Sequence, residues 1–170
     1  MDQVDLWLMH YPLKNAGEHV AVWDAFLAAA EQGLAGAVGV SNHSPAQLDA
    51  LAQATGQMPQ VNQVRFNPTR YDPDLLAAHR QRGVVLEGHS PLRKTGLDHP
   101  VLAQIADTHS ASPAQVVIAW HLAHRVAVIP KSAHPDRITS NLQAADLRLT
   151  PDEVDRINTL TTRPRRVPAA

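Results

Sequence analysis

Hydrogen-bonding side chains follow each of five short apolar segments of the sequence. Amide, hydroxyl and imidazole groups can bind a neutral polar ligand group, and a carboxamide offers such groups two donors and an acceptor. Asn42 and Gln63 are of the types that could satisfy it. At each single position, simple capping of a strand or helix end explains the residue equally well. The set comprises His10, Ser41, Asn42, His43, Asn62, Gln63, Glu87, His89, Ser90, Lys131 and Ser132.

A second pattern, typical of an anion site, follows the fifth apolar segment. Lys131 and Ser132 come just before a Pro-Asp helix start, and Arg137 lies in the first turn with Asn141 four residues beyond it, on the same helix face. A loop cation, free helix amides and an arginine together attract a phosphate. Helix capping by Ser132 alone is the structural alternative, and the pattern itself leaves it open.

These side chains must be positioned by five strands that alternate with helices. Apolar runs predict the strands, and helical spacing with proline or glycine boundaries predicts the helices. A cap-like Thr150 precedes the last helix. The helical stretches 100–109 and 113–123 are either two helices or one broken helix. Strands are predicted at 4–9, 36–40, 61–66, 84–87 and 126–129, and helices at 20–32, 45–55, 73–82, 100–109, 113–123, 135–145 and 151–160.

The alternation of strands and helices predicts a parallel α/β sheet, because a parallel connection needs a helix-length crossover. The strands are apolar on both faces, as expected beneath covering helices. A doubly wound sheet is disfavoured because no G-x-G-x-x-G occurs. A complete barrel takes about 250 residues. The predicted fold is therefore a partial (β/α)8 TIM barrel with about five of the eight strand-helix units, over residues 1–160, followed by a flexible tail at 161–170.

An incomplete barrel has two edge strands, here 4–9 and 126–129, whose unpaired backbone groups favour association between chains. The oligomeric state itself stays open.

Composition excludes several classes of function. Fifteen basic and sixteen acidic residues leave a charge of -1, so neither nucleic acid nor a membrane surface is an expected partner. The absence of cysteine excludes disulfides, thiolate catalysis and cysteine-bound zinc. Without a membrane-length apolar run or a signal peptide, the predicted location is cytoplasmic.

The ten histidines raise a metal-site alternative, since His121 and His124 are three apart on a predicted helix. No H-x-H motif or carboxylate partner accompanies them, so a solvated helix face is the preferred interpretation and no metal is predicted.

Five strings in register resemble the aldo-keto reductases: VDLWLMHYP, GAVGVSNHSPAQL, VNQVRFNP, GVVLEGHSPL and VAVIPKSAHPDRITSNLQAADLRLT. The resemblance covers most of the chain, from Val4 to about Leu160. It implies an eight-stranded barrel that uses NADPH, without a Rossmann fold, to reduce small aldehyde or ketone substrates to alcohols.

At the nicotinamide end of the cofactor, the resemblance places His10 on the catalytic histidine, which orients the substrate carbonyl. It places Ser41, Asn42 and Gln63 on the residues that hold the carboxamide. His89 stands where an aromatic residue usually stacks on the nicotinamide, and its imidazole offers a smaller stacking surface.

At the phosphate end, Ser90, Pro91 and Leu92 match the pyrophosphate loop. The resemblance assigns contacts with the 2′-phosphate and the adenine to Lys131, Ser132, Arg137 and Asn141, which favours NADPH over NADH. Ser140 replaces a glutamate that many members carry before the last asparagine, so one adenine contact is in doubt.

The family's catalytic aspartate, tyrosine and lysine have no counterpart here, and neither Tyr11 nor Tyr71 matches the tyrosine. Residues 1–3 resemble family sequence just before the first matched strand, which suggests a truncated or misassigned reading frame. The predicted function is a fragment of an NADPH-dependent carbonyl reductase. The alternative is a catalytically inactive module that binds NADP or pairs with another chain.

Overall fold

The structure, a computed structural model, describes residues 3–162 of the 170-residue chain. Residues 1 and 2 and most of the predicted tail, residues 163–170, lie outside the described residues. Strands and helices alternate along the described part. They are β1 (Val4–Met9), α1 (Ala16–Glu31), β2 (Ala35–Ser41), α2 (Pro45–Thr55), β3 (Val61–Arg65), α3 (Pro73–Gln81), β4 (Val85–His89), α4 (Pro100–Thr108), α5 (Pro113–Ala123), β5 (Ala127–Ile129), α6 (Pro135–Gln143) and α7 (Pro151–Asn158), with short 3-10 turns at Pro68–Arg70 and Ala144–Asp146.

The five strands form one sheet in the order β1-β2-β3-β4-β5. The pairs β1–β2 and β2–β3 are parallel, with Met9 opposite Val40 and Ser41 opposite Gln63. Strands that follow each other in the chain are thus neighbours in the sheet, as in a barrel, whereas a doubly wound sheet reverses its order midway. The strand order therefore supports the predicted barrel topology.

The chain divides into two compact units. The first contains residues 1–64 and 73–87, and its core surrounds Trp23, Val40, Leu48 and Leu51. Helix α1 begins four residues before its predicted start, because the Asn15 side chain accepts a hydrogen bond from the Glu18 amide and caps the helix there.

Within the described residues, the second unit contains residues 65–72 and 88–162. Its core includes Phe66 stacked on Trp120, with ring centroids 5.2 Å apart. Helices α4 and α5 are separate, since Ser112 forms a capping box with Gln115 and starts α5 anew. Helix α7 ends at Asn158, two residues before its predicted end.

Apolar side chains are exposed on the first and last strands of the sheet order. On β1, Val4 is 37% and Trp7 45% exposed, and on β5 Ile129 is 44% exposed. These two are the predicted edge strands, and Val85 on β4 is likewise 50% exposed. Within residues 3–162, no helix is both long and apolar enough to cross a bilayer.

Candidate functional site

In the first unit, the end of β2 carries the residues that the sequence assigns to a carboxamide. Ser41 is its last residue and is buried, and Asn42 has a positive φ of 63°. Asparagine tolerates this left-handed conformation better than most side chains, because its short amide does not clash with the backbone. His43 and Ser44 complete the turn, and Ser44 caps α2.

Hydrogen bonds join Ser41, Asn42 and Gln63 into what is called here the amide cluster. The Gln63 main-chain carbonyl accepts hydrogen bonds from Ser41 Oγ at 2.8 Å and from the main-chain N–H of Asn42 at 2.9 Å. Asn42 Nδ2 donates to Ser41 Oγ at 3.0 Å and to the His10 carbonyl at 3.2 Å. Gln63 Nε2 donates to Glu87 Oε1 at 2.5 Å. The structure thus brings four predicted site residues together: His10, Ser41, Asn42 and Gln63.

The partners of the two side-chain amides fix their orientation. A main-chain carbonyl and a carboxylate only accept hydrogen bonds, so the atoms facing them must be nitrogens. The side-chain oxygens of Asn42 and Gln63 receive no hydrogen bond from any residue between 3 and 162. The amide cluster therefore offers two acceptors, Asn42 Oδ1 and Gln63 Oε1, to a ligand.

A buried network of His19, His43, Asn62 and His79, called here the histidine network, supports this turn. His43 Nδ1 lies 2.8 Å from the Ser41 carbonyl and His79 Nδ1 lies 2.7 Å from the Leu75 carbonyl, so both nitrogens carry the proton. Asn62 Nδ2 then donates to His79 Nε2 at 2.9 Å and to the His43 carbonyl at 2.8 Å.

His43 Nε2 is consequently an acceptor, and His19 Nε2, 2.7 Å away, donates to it. Burial lowers the pKa of His19, His43 and His79, because it penalises the charged imidazolium. Each ring is therefore neutral near pH 7, and the network holds the turn through the Ser41 carbonyl.

His10, the predicted catalytic histidine, lies just past the end of β1 and is exposed. Its ring stacks on Tyr11 with centroids 4.0 Å apart, and its main-chain carbonyl is held by Asn42. The imidazole is thus exposed, while the His10 main chain contacts the amide cluster.

In the second unit, the predicted phosphate-binding residues Lys131, Ser132, Arg137 and Asn141, called here the phosphate segment, have few internal partners. Lys131 and Arg137 are exposed, and no residue of α6 is buried. Ser132 Oγ accepts from the His134 amide at 3.1 Å, but α6 has no side-chain cap, in contrast to the capping boxes of α5 and α7. The first amides of α6 are therefore available to an anion.

A cavity of about 380 Å³ joins Lys131 to the predicted pyrophosphate loop. Within the loop, Ser90 has a φ of 54° and its Oγ lies 3.1 Å from His89 Nδ1, while Thr95 Oγ1 donates to the Pro91 carbonyl at 2.8 Å. Neither of these two contacts involves a main-chain N–H group of the loop. The lining residues are Ser90, Pro91, Leu92, Arg93, Ile129, Pro130 and Lys131.

Two charged residues at these sites were given no specific role from the sequence. Arg93 lines the cavity, and Glu87 binds Gln63. The available signal for Glu87 was its place on β4 two residues before His89, because alternate residues of a strand share a face.

His121 does not lie on a solvated helix face. It is fully buried, and its two ring nitrogens lie 2.7 Å from the Val117 carbonyl and 3.0 Å from the Phe66 carbonyl. His124 Nε2 lies 2.9 Å from Asn158 Oδ1. The preferred sequence interpretation was thus wrong for His121, whose helix packs inward.

Known proteins resemble this chain in sequence and in fold. The chain is 37% identical over 163 residues to an aldo-keto reductase of Mycolicibacterium smegmatis, covering 95% of this chain and 59% of the relative. It is 36% identical over 176 residues to morphine 6-dehydrogenase of Pseudomonas putida, covering 95% and 60%. The structure of a Gox0644 mutant in complex with NADPH superposes with a TM-score of 0.91 at 34% identity, covering 99% of this chain and 62% of that one.

Strand order and superposition define the fold class as a partial (β/α)8 barrel, which confirms the sequence prediction. The model of the aldo/keto reductase family matches residues 1–162, and the chain belongs to that family. It spans about 60% of the length of the relatives it matches.

Proposed function

We propose that the chain is the cofactor-binding part of an NADPH-dependent carbonyl reductase, which in complete form reduces aldehydes or ketones to alcohols. The observation that carries this proposal is the pair of acceptors left by the amide cluster, Asn42 Oδ1 and Gln63 Oε1. The Gox0644 complex with NADPH and the name of morphine 6-dehydrogenase support the cofactor and the reaction class.

The NH₂ group of a nicotinamide carboxamide has two donors, which match these two acceptors. Both side-chain donors of Asn42 are used by Ser41 and His10, and one of the two donors of Gln63 is used by Glu87, so the cluster is held in place before a ligand binds. A preformed site avoids the entropic cost of ordering side chains. Fixing the carboxamide in turn selects which face of the nicotinamide ring meets the substrate.

The phosphate segment accounts for a preference for NADPH over NADH. Lys131 and Arg137 are exposed cations, and α6 has uncapped N-terminal amides beside them. Charge-assisted hydrogen bonds of this kind are about twice as strong as neutral ones. We assign to the segment the 2′-phosphate and adenine, with Asn141 on the same face of α6 as Arg137, and to Ser90, Pro91 and Leu92 the pyrophosphate.

Bound NADPH supplies the hydride. The proposed role of His10 is to orient the substrate carbonyl, and that of His89 is to contact the nicotinamide in place of a larger aromatic ring. The resulting alkoxide needs a proton, which the family resemblance assigns to a tyrosine beside a lysine and an aspartate. Neither Tyr11 nor Tyr71 matches that tyrosine, so in this proposal the chain binds and orients while proton donation depends on residues it does not contain.

Titration of the purified 170-residue chain with NADPH and with NADH, by calorimetry, tests the cofactor proposal. We expect binding of NADPH and at least tenfold weaker binding of NADH, since one or more charge-assisted bonds to the extra phosphate are lost. Equal affinity for both cofactors contradicts the assignment of the phosphate segment, and absence of binding contradicts the proposal as a whole.

The second candidate function is an inactive module that binds NADP or pairs with another chain. The exposed apolar residues on β1, Val4 and Trp7, favour pairing. Sedimentation of the chain and of a Trp7→Lys variant tests it, because a charge on this strand should reduce association. Binding of NADPH without turnover of aldehydes, together with self-association that Trp7→Lys abolishes, favours this second candidate. Turnover of aldehydes by the chain after it has been joined to the further segments that its relatives carry favours the first candidate, the carbonyl reductase.

Three broader assignments belong to the same proposal. Residues 1–160 act as one part of an aldo-keto reductase barrel, the substrate is a small carbonyl compound, and the location is cytoplasmic. Cell fractionation with an epitope-tagged chain tests the last of these.

A further inference from the structure

Glu87 is a half-buried carboxylate on β4 that accepts a hydrogen bond from the Gln63 side chain. The contact joins residues 24 positions apart, with Gln63 Nε2 2.5 Å from Glu87 Oε1. The sequence analysis places Glu87 only in the general set of polar residues at strand ends, and the family resemblance assigns it no role. A charged acceptor at this position nevertheless determines what its neighbour can offer.

A glutamine side chain is chemically ambiguous, because its amide presents an oxygen or a nitrogen depending on a rotation of the terminal group. The hydrogen bonds from Ser41 Oγ and the Asn42 main-chain N–H reach only the main-chain carbonyl of Gln63, so they leave this rotational freedom in place. Glu87 removes it, since a reversed amide would bring an oxygen against a carboxylate. Gln63 Oε1 is thereby left as the acceptor.

We propose that Glu87 is a positioning residue that makes the site specific for an amide NH₂ on the nicotinamide ring. It does so by binding Gln63 Nε2, so that the acceptor oxygen Gln63 Oε1, and not the NH₂ group, faces the ligand. The inference rests on the proposed function, because it needs the cofactor to bind at the amide cluster.

The test compares two ligands that differ only at the recognised group. NADP carries a carboxamide, whereas in its 3-acetylpyridine analogue a methyl group replaces the NH₂. Both are titrated calorimetrically into the 170-residue chain and into Glu87→Ala and Glu87→Gln variants. Glu31→Ala is the matched control, because Glu31 is an exposed carboxylate at the end of α1 in the same unit.

We expect Glu87→Ala to weaken NADP about tenfold, the size of one hydrogen bond to a fixed acceptor, and to change the analogue less than twofold. Glu87→Gln should retain NADP affinity to within about threefold, because its amide oxygen still accepts from Gln63 Nε2. Glu31→Ala should leave both affinities unchanged. This ligand-selective loss is not expected of a merely structural residue.

An equal loss of both ligands in Glu87→Ala, or no loss of either, overturns the proposal. Melting curves followed by circular dichroism identify a variant that fails to fold. If Glu87→Ala does not fold, Glu87→Gln decides, because a loss of its preference for NADP over the analogue contradicts the positioning role. If the unsubstituted chain binds neither ligand, the proposed function and this inference fail together. If it binds NADP and the analogue equally, only this inference fails.

Discussion

The amide cluster and the phosphate segment solve two recognition problems in opposite ways. Ser41, Asn42 and Gln63 form a hydrogen-bonded set in which every side-chain donor except one N–H of Gln63 is already used. The phosphate segment, in contrast, has exposed cations and a helix start without a side-chain cap. One site is preorganised before any ligand arrives, and the other is assembled from long, solvated side chains.

The difference follows from the chemistry of the two ligand groups. A neutral carboxamide gains little from each hydrogen bond, so its site must be in place beforehand and must present the correct atoms. A phosphate is attracted over a longer range and by any nearby cation, so flexible lysine and arginine side chains suffice. The amide cluster should therefore be sensitive to geometry, and the phosphate segment to charge and salt.

The largest expected effect is on the phosphate segment. Arg137→Ala should weaken NADPH about ten- to a hundredfold, the range of charge-assisted hydrogen bonds, while NADH changes less than twofold. Lys131→Ala should act in the same direction. Calorimetric titration at low and high ionic strength should also show that salt weakens NADPH in the original chain more than in Arg137→Ala.

Arg148→Ala is the control for Arg137, because it removes an exposed arginine of the same unit whose Nη1 bonds only the Ala145 carbonyl. It should leave the preference for NADPH intact. Equal losses of NADPH in Arg148→Ala and Arg137→Ala would show that general charge, rather than the phosphate segment, sets the preference.

A somewhat smaller effect is expected on the amide cluster, and it should not depend on salt. Asn42→Gly keeps the left-handed backbone, which glycine adopts freely, but removes the amide. We expect NADPH and NADH to weaken alike, by roughly tenfold for one lost hydrogen bond, at low and at high ionic strength. Binding by calorimetry with both cofactors gives the comparison.

Ser110→Gly is the matched control, since Ser110 also has a positive φ, of 50°, and is exposed between α4 and α5. It shows how much a glycine at a position with positive φ changes cofactor affinity by itself. If Asn42→Gly weakens NADPH selectively, the contrast between a geometric site and an electrostatic site is wrong.

Sequence patterns located the elements well where proline marks the helix start. Helices α2 and α5 occupy their predicted ranges because Pro45 and Pro113 stand at N1 behind capping serines. Helix α1 has no such proline, and its start was missed because Asn15 caps it in a loop with no apolar periodicity.

The site was predicted as a set of residue types but not as a set of atoms. Family resemblance named Ser41, Asn42 and Gln63, yet which atoms remain for a ligand depends on partners far away in the sequence, such as Glu87. The same limit applied to His121, whose burial depends on Phe66, 55 residues away. Side-chain partners across strands are set by packing, which periodicity does not encode.

The smallest effect is expected from acid, acting through the histidine network beneath the amide cluster. Burial lowers the pKa of His43 and His79 in the folded chain below the unfolded value. Near pH 6 the unfolded chain therefore binds more protons, so the free energy of unfolding rises with pH. The neutral network stabilises fully above the unfolded pKa of about 6.5, and this contribution is lost as the pH falls from there toward the lower folded values.

Urea denaturation followed by circular dichroism between pH 7.5 and 5 measures this dependence. His43→Phe keeps a buried ring but removes one titrating group and the bond to Ser41, so it should lower stability at pH 7.5 while making the dependence on pH shallower. One histidine can contribute at most about 1.4 kcal/mol per pH unit to the slope. An unchanged slope would mean that protonation of His43 does not oppose folding. The amide cluster would then owe its preorganisation to the main-chain bonds of Gln63 rather than to the neutral imidazoles below it.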